Sequence, residues 1–124
     1  MFSKDYLVRQ LQQFVQALAM VLLNKREGHQ ALAQSIIHNT MLDVLGVSLD
    51  VARGLDRAAL VGLVTRGSEL RDELAIAAAD LLAEDERAEG QLRAAWLYQE
   101  VLQAGGTVPH DILDRIEVLQ GGSG

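Results

Sequence analysis

The chain contains no cysteine. Disulfides, thiolate zinc sites, iron–sulfur clusters and cysteine nucleophiles are therefore excluded. Positive charge is scarce: 11 Lys or Arg stand against 17 Asp or Glu, a net charge of −6. Residues 1–62 carry six basic and five acidic side chains, and residues 63–124 carry five and twelve. No basic face of the kind that neutralises phosphates is visible, so nucleic-acid binding is not expected. The acidic second half disfavours an anionic membrane surface for the same reason. Long apolar runs are also missing. The longest uncharged stretches, 10–24 and 28–42, have fifteen residues each and contain Gln or His, too short to span a bilayer. The N-terminus does not read as a signal peptide, because Lys4, Asp5 and Arg9 interrupt it. A cytoplasmic protein is the expectation. Alternating apolar and polar runs are rare, so no β-sheet is expected.

What remains is helical periodicity. Apolar residues make up 49% of the chain, mostly Leu and Ala, which favours helices. Leu7, Val8, Leu11, Phe14, Val15, Leu18, Val21 and Leu22 recur at spacings of three and four. They predict an amphipathic helix over 3–25 with Gln10, Gln12, Gln13 and Gln16 largely off its stripe. Ser3 is its predicted cap, and Asp5 suits the positive helix end. Val8, Val15 and Leu22 share one heptad register and Leu11 and Leu18 another, the pattern of a seam facing a partner helix.

Gly28 predicts a break, although one continuous helix through it is compatible with the pattern. A second helix is expected over 29–45, with Leu32, Ala33, Ile36, Ile37, Met41, Val44 and Leu45 as its stripe and Gly46 as its end. Ser48 or Asp50 is placed to cap a short turn. Asp56 is placed to cap a helix to about residue 66 that buries Leu60, Leu63 and Val64. Gly67 closes that helix, and Ser68 opens a fourth over 69–84, with Leu70, Leu74, Ala77, Ala78 and Leu81 on one face. The tract 84–90 reads as a solvated corner. A fifth helix over 91–104 is apolar nearly all round. A sixth, capped by Thr107 with Pro109 in its first turn, carries Ile112, Leu113, Ile116 and Leu119. The expected fold is therefore all-α: one domain over 1–119, five or six helices in antiparallel pairs, and a flexible tail or expression scar over 120–124.

Leu74, Ala77, Ala78 and Leu81, followed by Ala94, Tyr98 and Val101, resemble in spacing the packing positions of a tetratricopeptide repeat. The corner is about four residues longer than that repeat's, and Leu74 stands where the repeat usually has Trp. The opening Asp5-Tyr6-Leu7-x-Arg9-Gln10-Leu11 resembles the start of a family of short bacterial helical proteins with a tetratricopeptide-like C-terminal half. That resemblance implies a helical hairpin in the second half and a bacterial cytoplasmic setting. It brings no catalytic residues.

Sites of chemistry are not apparent. His29 and His38 are nine residues apart, on opposite sides of a helix, and His110 is distant in sequence. Neither Glu-x-x-His nor His-Glu-x-x-His occurs. Asp111, Asp114 and Glu117 recur every three residues beside His110; a divalent cation or an acid–base pair would suit them, and a solvated, dipole-favoured face explains them better. No nucleophile elbow, phosphate loop or dinucleotide fingerprint is present. No ionisable residue falls inside an apolar stripe, and an enzyme site should perturb several such groups.

The reading is thus a non-catalytic protein–protein interaction module without metal or cofactor. It self-associates as a homodimer through the first helix or offers a groove to a protein or peptide. Leu11, Val15, Leu18, Leu22 and Tyr98 are the candidate interaction residues. Two alternatives are a small-molecule- or metal-dependent helical enzyme and an engineered helical scaffold. With no cysteine and three scattered histidines, the purified protein should carry no stoichiometric transition metal. Elemental analysis returning about one metal per chain would contradict this.

Overall fold

A computed structural model describes residues 4–67, 69–106 and 111–121, with the side chain of Lys4 excepted. About 75% of the described residues are helical. The elements are α1 (Lys4–Arg26), α2 (Gln30–Leu45), α3 (Leu49–Ala52) and α4 (Arg57–Leu63), then strands β1 (Thr65–Arg66) and β2 (Glu69–Leu70), then α5 (Asp72–Leu82), α6 (Ala88–Gln103) and α7 (Ile112–Leu119). The expected caps at Ser3, Ser68 and Thr107, and the placement of Pro109 and His110, lie outside the described residues.

The fold is all-α, as the periodicity implies. One buried cluster draws side chains from all seven described helices, so the count exceeds the five or six expected. α1 lies between α2 and α5, α6 packs on α5, and α7 packs on α6. No helix among the described residues is long and apolar enough to cross a membrane. Gly28 has a φ of +81°, a left-handed conformation that glycine adopts without strain. It ends α1 and turns the chain back, so the continuous helix is not formed. Gly46 closes α2, and the side chains of Ser48 and Asp56 accept the N–H groups of Val51 and Ala59 as expected.

Several expectations change. The buried face of α1 is Gln10, Phe14, Ala17, Val21 and Asn24, which shares Phe14 and Val21 with the predicted stripe and is rotated from the rest of it. Leu7, Leu11 and Leu18 are half-buried, while Val8, Val15 and Leu22 are exposed. Two adjacent arcs of α1 are apolar, and its position between α2 and α5 decides which one is covered. The amides on the buried arc find carbonyls: Gln10 Nε2 donates to the Val44 oxygen at 3.4 Å and Asn24 Nδ2 to the Met20 oxygen at 2.8 Å. Paired in this way, a polar group can be buried. On α2, Ala33, Ile37, Met41 and Val44 are buried, but Leu32 is exposed.

The helix expected to reach residue 66 stops at Leu63. The chain then forms a two-residue antiparallel ribbon in which Thr65 faces Leu70 and Arg66 faces Glu69. This corrects both the absence of any strand and the assignment of Glu69 and Leu70 to the following helix. Leu60 and Val64 are buried and Leu63 half-buried. α6 begins at Ala88, so the corner after α5 is only 83–87. On α7, Ile112 and Ile116 are buried while Leu113 is 71% exposed.

α5 and α6, joined by that short corner, pack closely as neighbours. Leu74, Ala78 and Leu81 from α5 and Ala94, Tyr98 and Val101 from α6 are buried between them and their surroundings. Leu74→Ala should cost about 2–5 kcal/mol, the range for fully buried leucines. Leu102 is only half-buried, so Leu102→Ala should cost less. Denaturant unfolding of the two variants checks the order.

Candidate functional site

Two features stand out: a buried ionic junction and an open apolar groove. The junction is centred on Asp85 in the α5–α6 corner, whose residue is 1% exposed. Arg53, which caps the C-terminal end of α3, donates from Nε to Oδ2 at 2.8 Å and from Nη2 to Oδ1 at 2.6 Å. Gln34 of α2 donates Nε2 to Oδ1 at 3.0 Å, and the Arg87 N–H adds a third donor at 3.3 Å. Gln91 of α6 donates to the Asp85 backbone oxygen at 2.8 Å, and Gln34 Oε1 accepts the Glu86 N–H at 3.1 Å. Burial alone would push the Asp85 carboxyl up. The hydrogen bonds from Arg53, Gln34 and the Arg87 N–H, with the Arg53 charge, outweigh it and hold the group below the ordinary carboxylate range. The same pairing raises Arg53. Gly90 makes room for this arrangement, since a Cβ there would lie 1.9 Å from Asp85 Oδ2 and 2.7 Å from Asp85 Cβ.

This corrects the reading of 84–90 as a solvated corner at Asp85 and Gly90, while 86–89 are exposed, and adds a buried ionisable group outside every apolar stripe. The physical reason is a partner 32 residues away in sequence, which local pattern does not reveal. A polar hollow of about 330 Å³ beside the junction is lined by His38, Arg53 and Glu86, among others.

The groove is made of two depressions that share Leu18 and Asp80. One, of about 360 Å³, lies between α1 and α5 and is walled by Leu11, Val15 and Leu18 on one side and Ile76 and Ala77 on the other. The second, of about 520 Å³, continues it past Leu22 to Val118 and Leu119 of α7. Glu73, Asp80, Glu84 and Asp114 make the lining acidic, with Arg115 as the opposing charge.

All five candidate interaction residues line this groove. Leu11, Val15, Leu18 and Leu22 form the α1 wall, and Tyr98 lies at the floor, 1% exposed. The Tyr98 hydroxyl donates to Asp80 Oδ1. Asp80 also lies 3.5 Å from Arg115 Nη1, and Arg115 Nε donates to Asp111 Oδ2 at 3.0 Å. Burial, then the bond to Asp80 and its charge, raise the Tyr98 phenol far above its ordinary value. Tyr98 therefore acts as a fixed donor that joins α5 to α6 under the groove. The sequence reading missed the opposite wall, Ile76 and Ala77, and the role of Asp80. A helical wheel of 72–82 places Ile76 beside Ala77 and Asp80, but only the fold brings that edge to α1.

The other aromatic and ionisable side chains are spread over the molecule. Trp96 is half-buried outside the groove, with the Arg93 guanidinium 4.6 Å from its ring centroid. Arg93 is itself fixed by two bonds to the Leu55 oxygen. His29 lies 3.9 Å from Glu27. Asp114 faces the groove and Glu117 is exposed. Among the described residues no group of three or more His, Asp or Glu is gathered to hold a metal ion.

No protein-family model, curated protein or solved structure significantly matches the chain.

The junction predicts an acid-sensitive fold. In the unfolded chain Asp85 titrates near the ordinary carboxylate value of about 3.9, above its folded value. Its contribution is therefore complete at neutral pH and declines as pH falls below about 4, where the unfolded chain binds the proton first. Asp85→Asn should cost about 3–5 kcal/mol at pH 7, the range for breaking a buried pair, and should flatten this acid limb. Gly90→Ala should also destabilise, by about 1–3 kcal/mol, through overpacking against a pinned carboxylate. Urea unfolding at pH 7 and across pH 3–5 measures all three effects.

Proposed function

We propose that the chain is a non-catalytic interaction module that associates with a second copy of itself through α1. The observation that carries this reading is the exposure of one heptad register. Val8, Val15 and Leu22 are 46%, 65% and 43% exposed, and Leu11 and Leu18 beside them are half-buried. A seven-residue repeat of this kind fits a helix packed alongside, knobs into holes. Tyr6, Met20 and Leu23 are also exposed but lie off this register, Tyr6 and Met20 on the face of Gln13. Leu32, Leu42 and Val51 are scattered by comparison, as single exposed apolar residues commonly are. A contiguous apolar stripe with a groove beside it is the kind of surface that a partner covers.

The buried polar groups support the same reading over a catalytic one. Asp85 is saturated by Arg53, Gln34 and a backbone N–H, and Tyr98 is held protonated against Asp80. Both arrangements tie helices together. The α5–α6 hairpin serves here as a tetratricopeptide-like support for the groove wall.

Light scattering coupled to size exclusion tests the proposal. The wild-type protein should have the mass of two chains at concentrations well above micromolar. Val15→Glu should have the mass of one chain with an unchanged helical spectrum, because Val15 is exposed in the single chain and a charge is disfavoured in an apolar interface. A wild-type mass of one chain would overturn the proposal.

A further inference from the structure

The self-association proposed above leaves the direction of the second helix open, and the inference drawn here rests on that association. We infer that the two copies of α1 run parallel and in register, each lying in the α1–α5 groove of the other.

The seam has Val8, Val15 and Leu22 in one register and Leu11 and Leu18, then Lys25, in the other. Within a parallel arrangement, a β-branched residue at the first core position with Leu at the second selects two strands. The surroundings of the seam bear on its direction. α5 borders it on the side of Leu11 and Leu18, where Ile76 and Ala77 form the facing wall. On the other flank stand Asp5, Gln12, Ala19 and Arg26, all exposed. A two-fold axis running along the helices sends the two α5 helices to opposite sides of the α1 pair. Antiparallel pairing would bring both to the same side, where they compete for one space.

Charge fits the parallel arrangement as well. In it, the flank of Asp5, Gln12, Ala19 and Arg26 on the second copy lies over α5 of the first. α1 and α5 are aligned so that Leu11 lies near Glu73, and Lys25 reaches Glu84 at 3.0 Å. An in-register second copy therefore brings its Arg26 level with the end of the groove lined by Glu84 and Asp114. The uncharged Gln12 and Ala19 come level with the two ends of the apolar stretch at Ile76 and Ala77, near Glu73 and Asp80.

Disulfide trapping tests this directly, because the chain has no cysteine of its own. Val8→Cys, Val15→Cys and Leu22→Cys each change a residue that is exposed in the single chain, so the fold should tolerate them. Under a mild oxidant, each variant alone should form covalent dimers, since in-register parallel helices bring every such position to its own copy. Gln13→Cys, on another face of α1, should remain monomeric thiol. Val8 and Leu22 are fourteen residues apart, about 21 Å along a helix, and a disulfide needs Cα atoms within about 7 Å. If Val8→Cys and Leu22→Cys link only when mixed with each other, the helices are antiparallel, and the inference fails while self-association stands. If no variant links although the wild-type mass is that of two chains, another surface makes the dimer and the inference fails. A wild-type mass of one chain removes both.

Discussion

The Asp85 junction is the interaction on which the arrangement of helices depends. A carboxylate at a corner between two helices is ordinarily hydrated. Here the corner is pressed against α2 and the end of α3, and water is replaced by Arg53, Gln34 and the Arg87 N–H of the corner itself. Three segments, around residues 34, 53 and 85–87, therefore meet at one side chain. Burial of a charge is costly unless it is paired and its lone pairs are filled, so the junction accepts few alternatives. It fixes where α6 starts, and through α6 it fixes Tyr98 and the attachment of α7.

That fixed frame determines which part of α1 is covered. α1 is apolar around more of its circumference than α2 and α5 can reach. Its inner arc packs Phe14, Ala17 and Val21 and seats two amides, Gln10 and Asn24, against nearby carbonyls. Its outer arc keeps the heptad of Val8, Val15 and Leu22 in water. Lys25 ties the end of α1 to Glu84, and so to the same corner as Asp85. The groove follows from this geometry: α1 and α5 run side by side, Tyr98 and Asp80 brace the floor, and α7 closes one end. The proposed two-fold contact would use this exposed heptad and the groove beside it, since such a contact repeats one patch on both copies.

Much of the fold was legible in local sequence. Five windows of helical period, the caps at Ser48 and Asp56, and the stops at Gly28 and Gly46 need only nearby residues to act, and they were readable for that reason. The ribbon at Thr65–Leu70 was not, because two-residue strands carry no period. Neither was the buried face of α1, since apolar count alone favours the arc with Leu and Val over the one with Gln10 and Asn24. Asp85 was hidden most completely: its surroundings in sequence are Glu84, Glu86 and Arg87, all typical of a solvated turn, and its partner is Arg53. The groove was partly legible. The heptad named its α1 wall, while the opposing wall of Ile76 and Ala77 depends on how α5 is laid against α1.

The central claim is that α1 has two working faces, one for its own domain and one for a second copy. Amide and methyl chemical shifts followed through serial dilution test it residue by residue. The account predicts concentration-dependent shifts at Val8, Leu11, Val15, Leu18 and Leu22 and across the groove at Ile76 and Ala77, with Phe14, Val21 and the Asp85 junction unmoved. Shifts independent of concentration, or confined to the outer face of α2 around Leu32 and Leu42, would contradict it.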